Sequence, residues 1–163
     1  MNNRLFVIML SIAVTMMFYS RIHAQSEYEL AQIVTERNQI MKSMLKSYFP
    51  LISIKDGKNS DFQSGADAAL AIAEGMSSSL SLFPAGSAKG EAPGSRAKPE
   101  VWTDSEGFQS AAEDLIEAAN MLAEISKQEN VESFVSQFAL LESACIACHE
   151  FKPSAGGKYR YGH

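Results

Sequence analysis

The chain has 163 residues, 46% of them hydrophobic, with 19 acidic residues against 14 basic ones. That length implies one domain with room for a real core. The acidic balance argues against nucleic acid and anionic membrane as partners, although plain solubility explains it equally well.

Arg4 precedes an apolar run from Leu5 to Tyr19, and a polar break follows that ends in Ala24. Residues 1–24 read as a secretory signal peptide. The run is short for a membrane span, which needs about 20 apolar residues. Arg21 and Ile22 make an imperfect cleavage site, so an uncleaved anchor stays open as the alternative. The expected product is exported to the periplasm, with no membrane insertion of the mature form. Without Arg4 and Arg21 it has 12 basic residues against 19 acidic ones.

Four helical segments follow, with no credible strand. Leu30, Val34, Met41, Met44, Leu45 and Tyr48 recur at helical spacing and predict a first helix over about 26–54. Pro50 should bend or terminate it, before a turn cluster at 56–59. A second helix fits 61–82, with Phe62, Ala66, Ala69, Ile72, Ala73, Met76 and Leu80 on one side and Ser60 or Asp61 as its cap. Residues 82–104 are rich in Pro, Gly and Ser, too long for a tight bundle turn. Trp102 suggests that this loop folds back onto the body. A third helix spans about 104–127 on Phe108, Ala112, Leu115, Ala119, Leu122 and Ile125, with Thr103 or Asp104 as N-cap. After a connector at 128–130, the fourth carries Val131, Phe134, Val135, Phe138, Leu141 and Ala144 and delivers both cysteines. Pro153 should stop it, leaving 153–163 as a flexible C-terminal tail.

The expected fold is all-α: an antiparallel four-helix bundle over 25–152 with a long loop between helices 2 and 3. A solenoid would need repeats, which are missing.

The chemistry sits in Cys145-Ile146-Ala147-Cys148-His149, the C-x-x-C-H signal for covalent haem attachment. On a helix, positions i, i+3 and i+4 share a face, so the three side chains would project toward one group. The thiols would form thioethers with the vinyl groups of one haem c, and His149 would reach the iron. Three other readings compete. A thioredoxin-like pair opens a helix, where the N-terminus lowers a thiol pKa, whereas this pair closes one. Zinc would need further ligands, and His163 is the only other histidine of the mature chain. Chance occurrence is the third. A disulfide across so short a loop would stabilise little.

With haem attachment near the C-terminus of such a bundle, the chain resembles the class II c-type cytochromes, the cytochrome c′ family. The resemblance covers most of 26–151 and includes "RNQIMKSM", "LFPAGS" and "AKPEVWTDSEGF" besides "CIACHE". It implies that Arg37 lies by a haem propionate. Arg37 also shares the stripe of Val34 and Met41, where a charge needs an anionic partner unless it reaches around to solvent. Met41 falls where the family places the residue facing the distal side of the iron. Its sulfur on iron would give a six-coordinate site suited to single-electron transfer; packing alone would leave a five-coordinate site able to bind NO or CO. Met41 as one of several core methionines is the third reading.

The expected function is a periplasmic electron-transfer haem protein, not an enzyme, working with redox partner proteins; relatives commonly form homodimers. Gas binding or protection is the alternative, and a haem-free thiol–disulfide enzyme a further one. Met44, Phe138 and Leu141 are expected to face the haem. Pro153 departs from the family, whose last helical turn often carries a basic residue.

Overall fold

The computed structural model describes residues 3–149 and 157–162, with side chains from residue 26 onward. Four long helices form the body: α1 (Asn3–Lys55), α2 (Phe62–Ser79), α4 (Ser105–Ser126) and α5 (Val131–Cys148). A 3-10 turn (Leu80–Leu82) extends α2, and a short α3 (Glu100–Thr103) interrupts the long loop before α4. Among the described residues the only extended pairings are isolated bridges, Lys89 with Ala92 and Ala97 with Arg160.

The antiparallel arrangement follows from close approaches at two glycines. A Cβ on Gly65 would lie 2.7 Å from Ile54 Cδ1 and 3.6 Å from both Phe134 Cε2 and Ser126 Oγ. The end of α1, the start of α2, the end of α4 and the start of α5 therefore meet at one level. A Cβ on Gly75 would lie 2.7 Å from Met44 Cγ, so α2 runs back along α1. Small residues at these points let the backbones close, and Ala66, Ala69, Ala112, Ala119 and Ala123 continue the seam.

The core is the apolar stripe of each helix. Leu51, Ile72, Leu122, Phe134, Phe138 and Leu141 are fully buried. Each such side chain contributes roughly 1.5–3 kcal/mol on burial. Phe62 meets Phe134 edge-on with centroids 5.6 Å apart, and Tyr48 stacks on Phe138 at 5.2 Å. Caps set the ends: Asp61 accepts from the Ser64 N–H at 2.9 Å, and Asn130 from Ser133 at 2.9 Å, supplying acceptors for first-turn donors.

The structure refines three expectations. Pro50 lies inside α1 and does not end it; Leu51 and Ile54, 0% and 2% exposed, hold the last turn in the core against the lost backbone bond. Asp104 is the N-cap residue of α4, one of the two expected candidates, but its carboxylate accepts from the Tyr159 hydroxyl at 2.9 Å and pairs with Lys158 in place of a side-chain cap bond. The expected flexible tail is, over 157–162, folded onto the body: Tyr159 is 4% exposed, and its ring meets Phe108 at 5.2 Å. Glycine and serine around it suggested mobility, but a tyrosine finding an apolar cluster overrides that composition. Pro153 and the rest of 150–156 lie outside the described residues. The backbone of α1 is helical on both sides of the expected cleavage after Ala24.

The long loop does fold back. Ala97, Val101, Phe108, Ala111 and Tyr159 make a second apolar cluster, with Phe83 and Trp102 packed on it. Trp102 Nε1 donates to the Phe83 carbonyl at 3.0 Å.

Candidate haem-binding site

Cys145 and Cys148 stand one turn apart on α5, both free and half-buried. Cys145 packs against the main core and Cys148 against the second cluster, so the pair sits at the seam between them. Burial pushes the Cys145 thiol up to about 12, and burial also raises Cys148. A redox-active thiol needs the opposite shift. Among the described residues no group of three or more His, Cys, Asp and Glu side chains stands ready to hold a metal ion.

His149 departs from the expected geometry. The helix ends at Cys148, and His149 is its C-cap in extended conformation, φ −160° and ψ 148°. Helical periodicity therefore does not carry the imidazole onto the thiol face. Its N–H still donates to the Cys145 carbonyl at 3.4 Å. The folded C-terminal segment meets the chain at this point: the Tyr159 N–H donates to the Cys148 carbonyl at 3.2 Å, and Gly157 lies so close to the His149 backbone that a Cβ there would overlap its Cα.

Met41 is half-buried and packs on the main core. Its height follows from the α1–α5 register. Tyr48 stacks on Phe138 and donates to Glu142 Oε1 at 2.8 Å, while both helices meet at their Ile54 and Phe134 ends, so α1 and α5 run antiparallel. Seven residues back along α1 from Tyr48 is Met41, and seven forward along α5 from Phe138 is Cys145. Each step is about 10.5 Å at 1.5 Å per residue. Met41 is thus level with the attachment motif. Met44, Phe138 and Leu141 are buried in the same core.

Arg37 is 4% exposed and does not reach solvent. Its guanidinium donates to the Leu82 carbonyl at 3.2 Å, to Ser87 Oγ and the Ser87 carbonyl at 3.4 Å, and to Ser95 Oγ at 3.0 Å. It also lies 4.3 Å above the Phe83 ring. All these acceptors are neutral, and burial lowers its pKa. A buried cation balanced by dipoles alone retains affinity for an anion. Ser87 and Ser95 escaped the sequence reading because nothing local ties them to a helix 50 or more residues away. Tyr159 and Tyr161 were a better signal, two aromatics in a stretch read as mobile.

Beside Cys148's cluster opens a groove of about 460 Å³, lined by Leu80, Phe83, Val101, Trp102, Phe108 and Gln109. Two thiols one helical turn apart at an apolar seam, an aromatic groove and a buried cation with neutral partners fit a tethered, flat, apolar ring that carries carboxylates.

The family model described as Cytochrome C′ matches residues 32–152. No curated protein matches. Among solved structures, a cytochrome c′ from Rubrivivax gelatinosus is 22% identical, with TM-score 0.67 over 80% of this chain and 96% of that one. Another cytochrome c′, with ligand-controlled dimer dissociation, is 25% identical, with TM-score 0.67 over 81% of this chain and 96% of that one. A carbon-monoxide-bound variant of the Alcaligenes xylosoxidans protein is 17% identical, with TM-score 0.66 over 79% and 94%. The family match spans well over half of the 163 residues, so the chain belongs to the cytochrome c′ family, four-helix bundles that carry one covalently attached c-type haem.

Proposed function

We propose that this cytochrome c′ is an exported, periplasmic protein that transfers single electrons, with Cys145 and Cys148 as the thioether residues and His149 as the proximal iron ligand. The haem supplies the one-electron couple of its iron. The chain's own part is to hold that group in a dry seam between two apolar clusters, with Met41 offered to the distal side and Arg37 neutralising a propionate. The observation that carries the reading is the level of Met41 with the motif, through the Tyr48–Phe138 contact. A thioether sulfur there favours the reduced iron and raises the potential, which suits electron transfer. Export rests on the leader-like residues 1–24.

The second reading is a five-coordinate site that binds NO or CO. It is favoured by the Alcaligenes xylosoxidans relatives seen with carbon monoxide and nitric oxide. Absorption spectra of the holo-protein separate the two. Electron transfer through a Met41-ligated site predicts a sharp α-band in the reduced state that added CO leaves unchanged. Met41→Ala should then gain a CO response. A native protein whose reduced spectrum already shifts with CO overturns the first reading in favour of the second.

A homodimer through α1 and α2 belongs to the same proposal. Leu45, Phe49 and Leu70 are 47%, 58% and 37% exposed on these helices, and one relative is a dimer whose dissociation is ligand-controlled. Sedimentation of the holo-protein and of Phe49→Glu tests it. A native monomer at micromolar concentration refutes it.

A further inference from the structure

We infer that residues 157–162 form a clamp on the proximal side of the site, and that Gly157 and Tyr159 are positioning residues for His149. This rests on His149 being the proximal ligand. The last carbonyls of a helix have no partner within it and need one from elsewhere. Here the partner for Cys148 is the Tyr159 N–H at 3.2 Å. One residue on, Gly157 fills the space against the His149 backbone where no side chain fits. The residue that leaves the helix is therefore the one the clamp touches.

The clamp is itself fixed. The Lys98 N–H donates to the Tyr159 carbonyl at 3.0 Å and the Tyr161 N–H to the Arg96 carbonyl at 2.9 Å, forming an antiparallel bridge at Ala97 and Arg160. Lys98 Nζ donates to the Gly157 carbonyl at 2.6 Å. The Tyr159 ring is buried on Phe108, and its hydroxyl reaches Asp104, which Lys158 also grips. Backbone pairing, a buried ring and an ion pair all hold one six-residue segment against one histidine. At Gly157 the segment approaches the His149 backbone so closely that no side chain would fit between them. The consequence is a fixed backbone for the ligand, hence a restricted imidazole orientation and a covered proximal face.

The experiment uses the mature holo-protein. Gly157→Val places methyl groups on the His149 backbone, and the ferric EPR spectrum reads the ligand's orientation. The expected result is shifted or doubled lines in Gly157→Val, with native lines in Tyr159→Phe, which keeps the ring and the backbone bonds. Native lines in Gly157→Val together with a lower melting temperature would show a merely structural segment and overturn the inference. His149→Ala is the control: if it leaves the spectrum unchanged, the ligand assignment fails, not the clamp alone. Should Gly157→Val not fold, hydrogen exchange on the unaltered protein decides. The Gly157, Tyr159 and Tyr161 amides should exchange at least about a hundredfold more slowly than free peptide. Exchange at free-peptide rates overturns the clamp.

Discussion

Replacing Arg37 by Met tests the buried cation directly. The guanidinium makes four hydrogen bonds, but two of them, to Ser87, are long at 3.4 Å and contribute little at that length. The useful pair are those to Ser95 Oγ at 3.0 Å and the Leu82 carbonyl at 3.2 Å, each worth up to about 1.5–3 kcal/mol for a charged donor. The Phe83 ring at 4.3 Å adds about 1 kcal/mol. Against this stands the cost of holding a charge out of water, which Met does not incur, and Met keeps most of the packing. The Ser87 carbonyl also retains the Ser95 hydroxyl at 2.7 Å. The balance is a loss of about 2–4 kcal/mol. For a chain of this size, that lowers the melting temperature by roughly 5–12 °C. Circular dichroism melts of the holo-protein read it directly. Arg37→Lys should fall between, because an ammonium cannot span Leu82 and Ser95 together. A change below about 2 °C in Arg37→Met would mean that the loop 82–97 is held by its own contacts, and the reasoning fails.

Further outcomes follow from the same geometry. Phe134→Ala, at the level where four helices meet, should cost about 3–5 kcal/mol; a urea midpoint close to the native one refutes the core assignment. In the haem-free chain, iodoacetamide at pH 8 should modify Cys145 far more slowly than a free thiol, since burial pushes it up to about 12; rapid labelling would show an open site. Raised folded-state thiols also stabilise that chain only below the ordinary thiol value of about 8.5, so its stability should decline as pH rises beyond it. Asp104 shifts the other way, lowered chiefly by its hydrogen bond to Lys158. Its contribution is present above about pH 4 and lost as pH falls through the depressed value. The melting-temperature gap between the native protein and Asp104→Asn should therefore close on acidification from about pH 5 to pH 2.5; a gap constant over that range counts against the carboxylate's role.

The long helices were readable because each buries one stripe, and a stripe repeats locally every turn. Phe108, Leu115 and Leu122 on α4, and Phe134, Phe138 and Leu141 on α5, lie where their spacing put them. The caps at Asp61 and Asn130 are local too; Asp61 was among the expected caps, while Asn130 was read as part of the connector. What stayed hidden depends on partners far along the chain. α3 has four residues, too few for any period. Pro50 reads as a bend or a stop near the end of a helix drawn over 26–54, and the burial of Leu51 and Ile54 explains why the helix runs on to Lys55. The C-terminal segment pairs with 96–98 through backbone groups, which carry no sequence signal. That blind spot reached the site, because Gly157 and Tyr159 of this segment lie against the backbone of His149 and Cys148.

The site also shows which parts of it exist independently of the cofactor. The α1–α5 register is fixed by Tyr48, Phe138, Ile54 and Phe134, all packed in the core two or more turns from the motif. Met41 comes level with the cysteines as a consequence of that packing, and Arg37, one turn beyond, is held by the loop's serines. Met41 and the Arg37 charge are thus preorganised by the bundle, so a haem bound as proposed need not order them. His149, the proposed proximal ligand, is different: it caps α5 in extended conformation, its N–H donating to the Cys145 carbonyl at a long 3.4 Å. In the proposed site, orientation of His149 therefore draws on contacts from outside α5, and the segment 157–162 is what the fold supplies there.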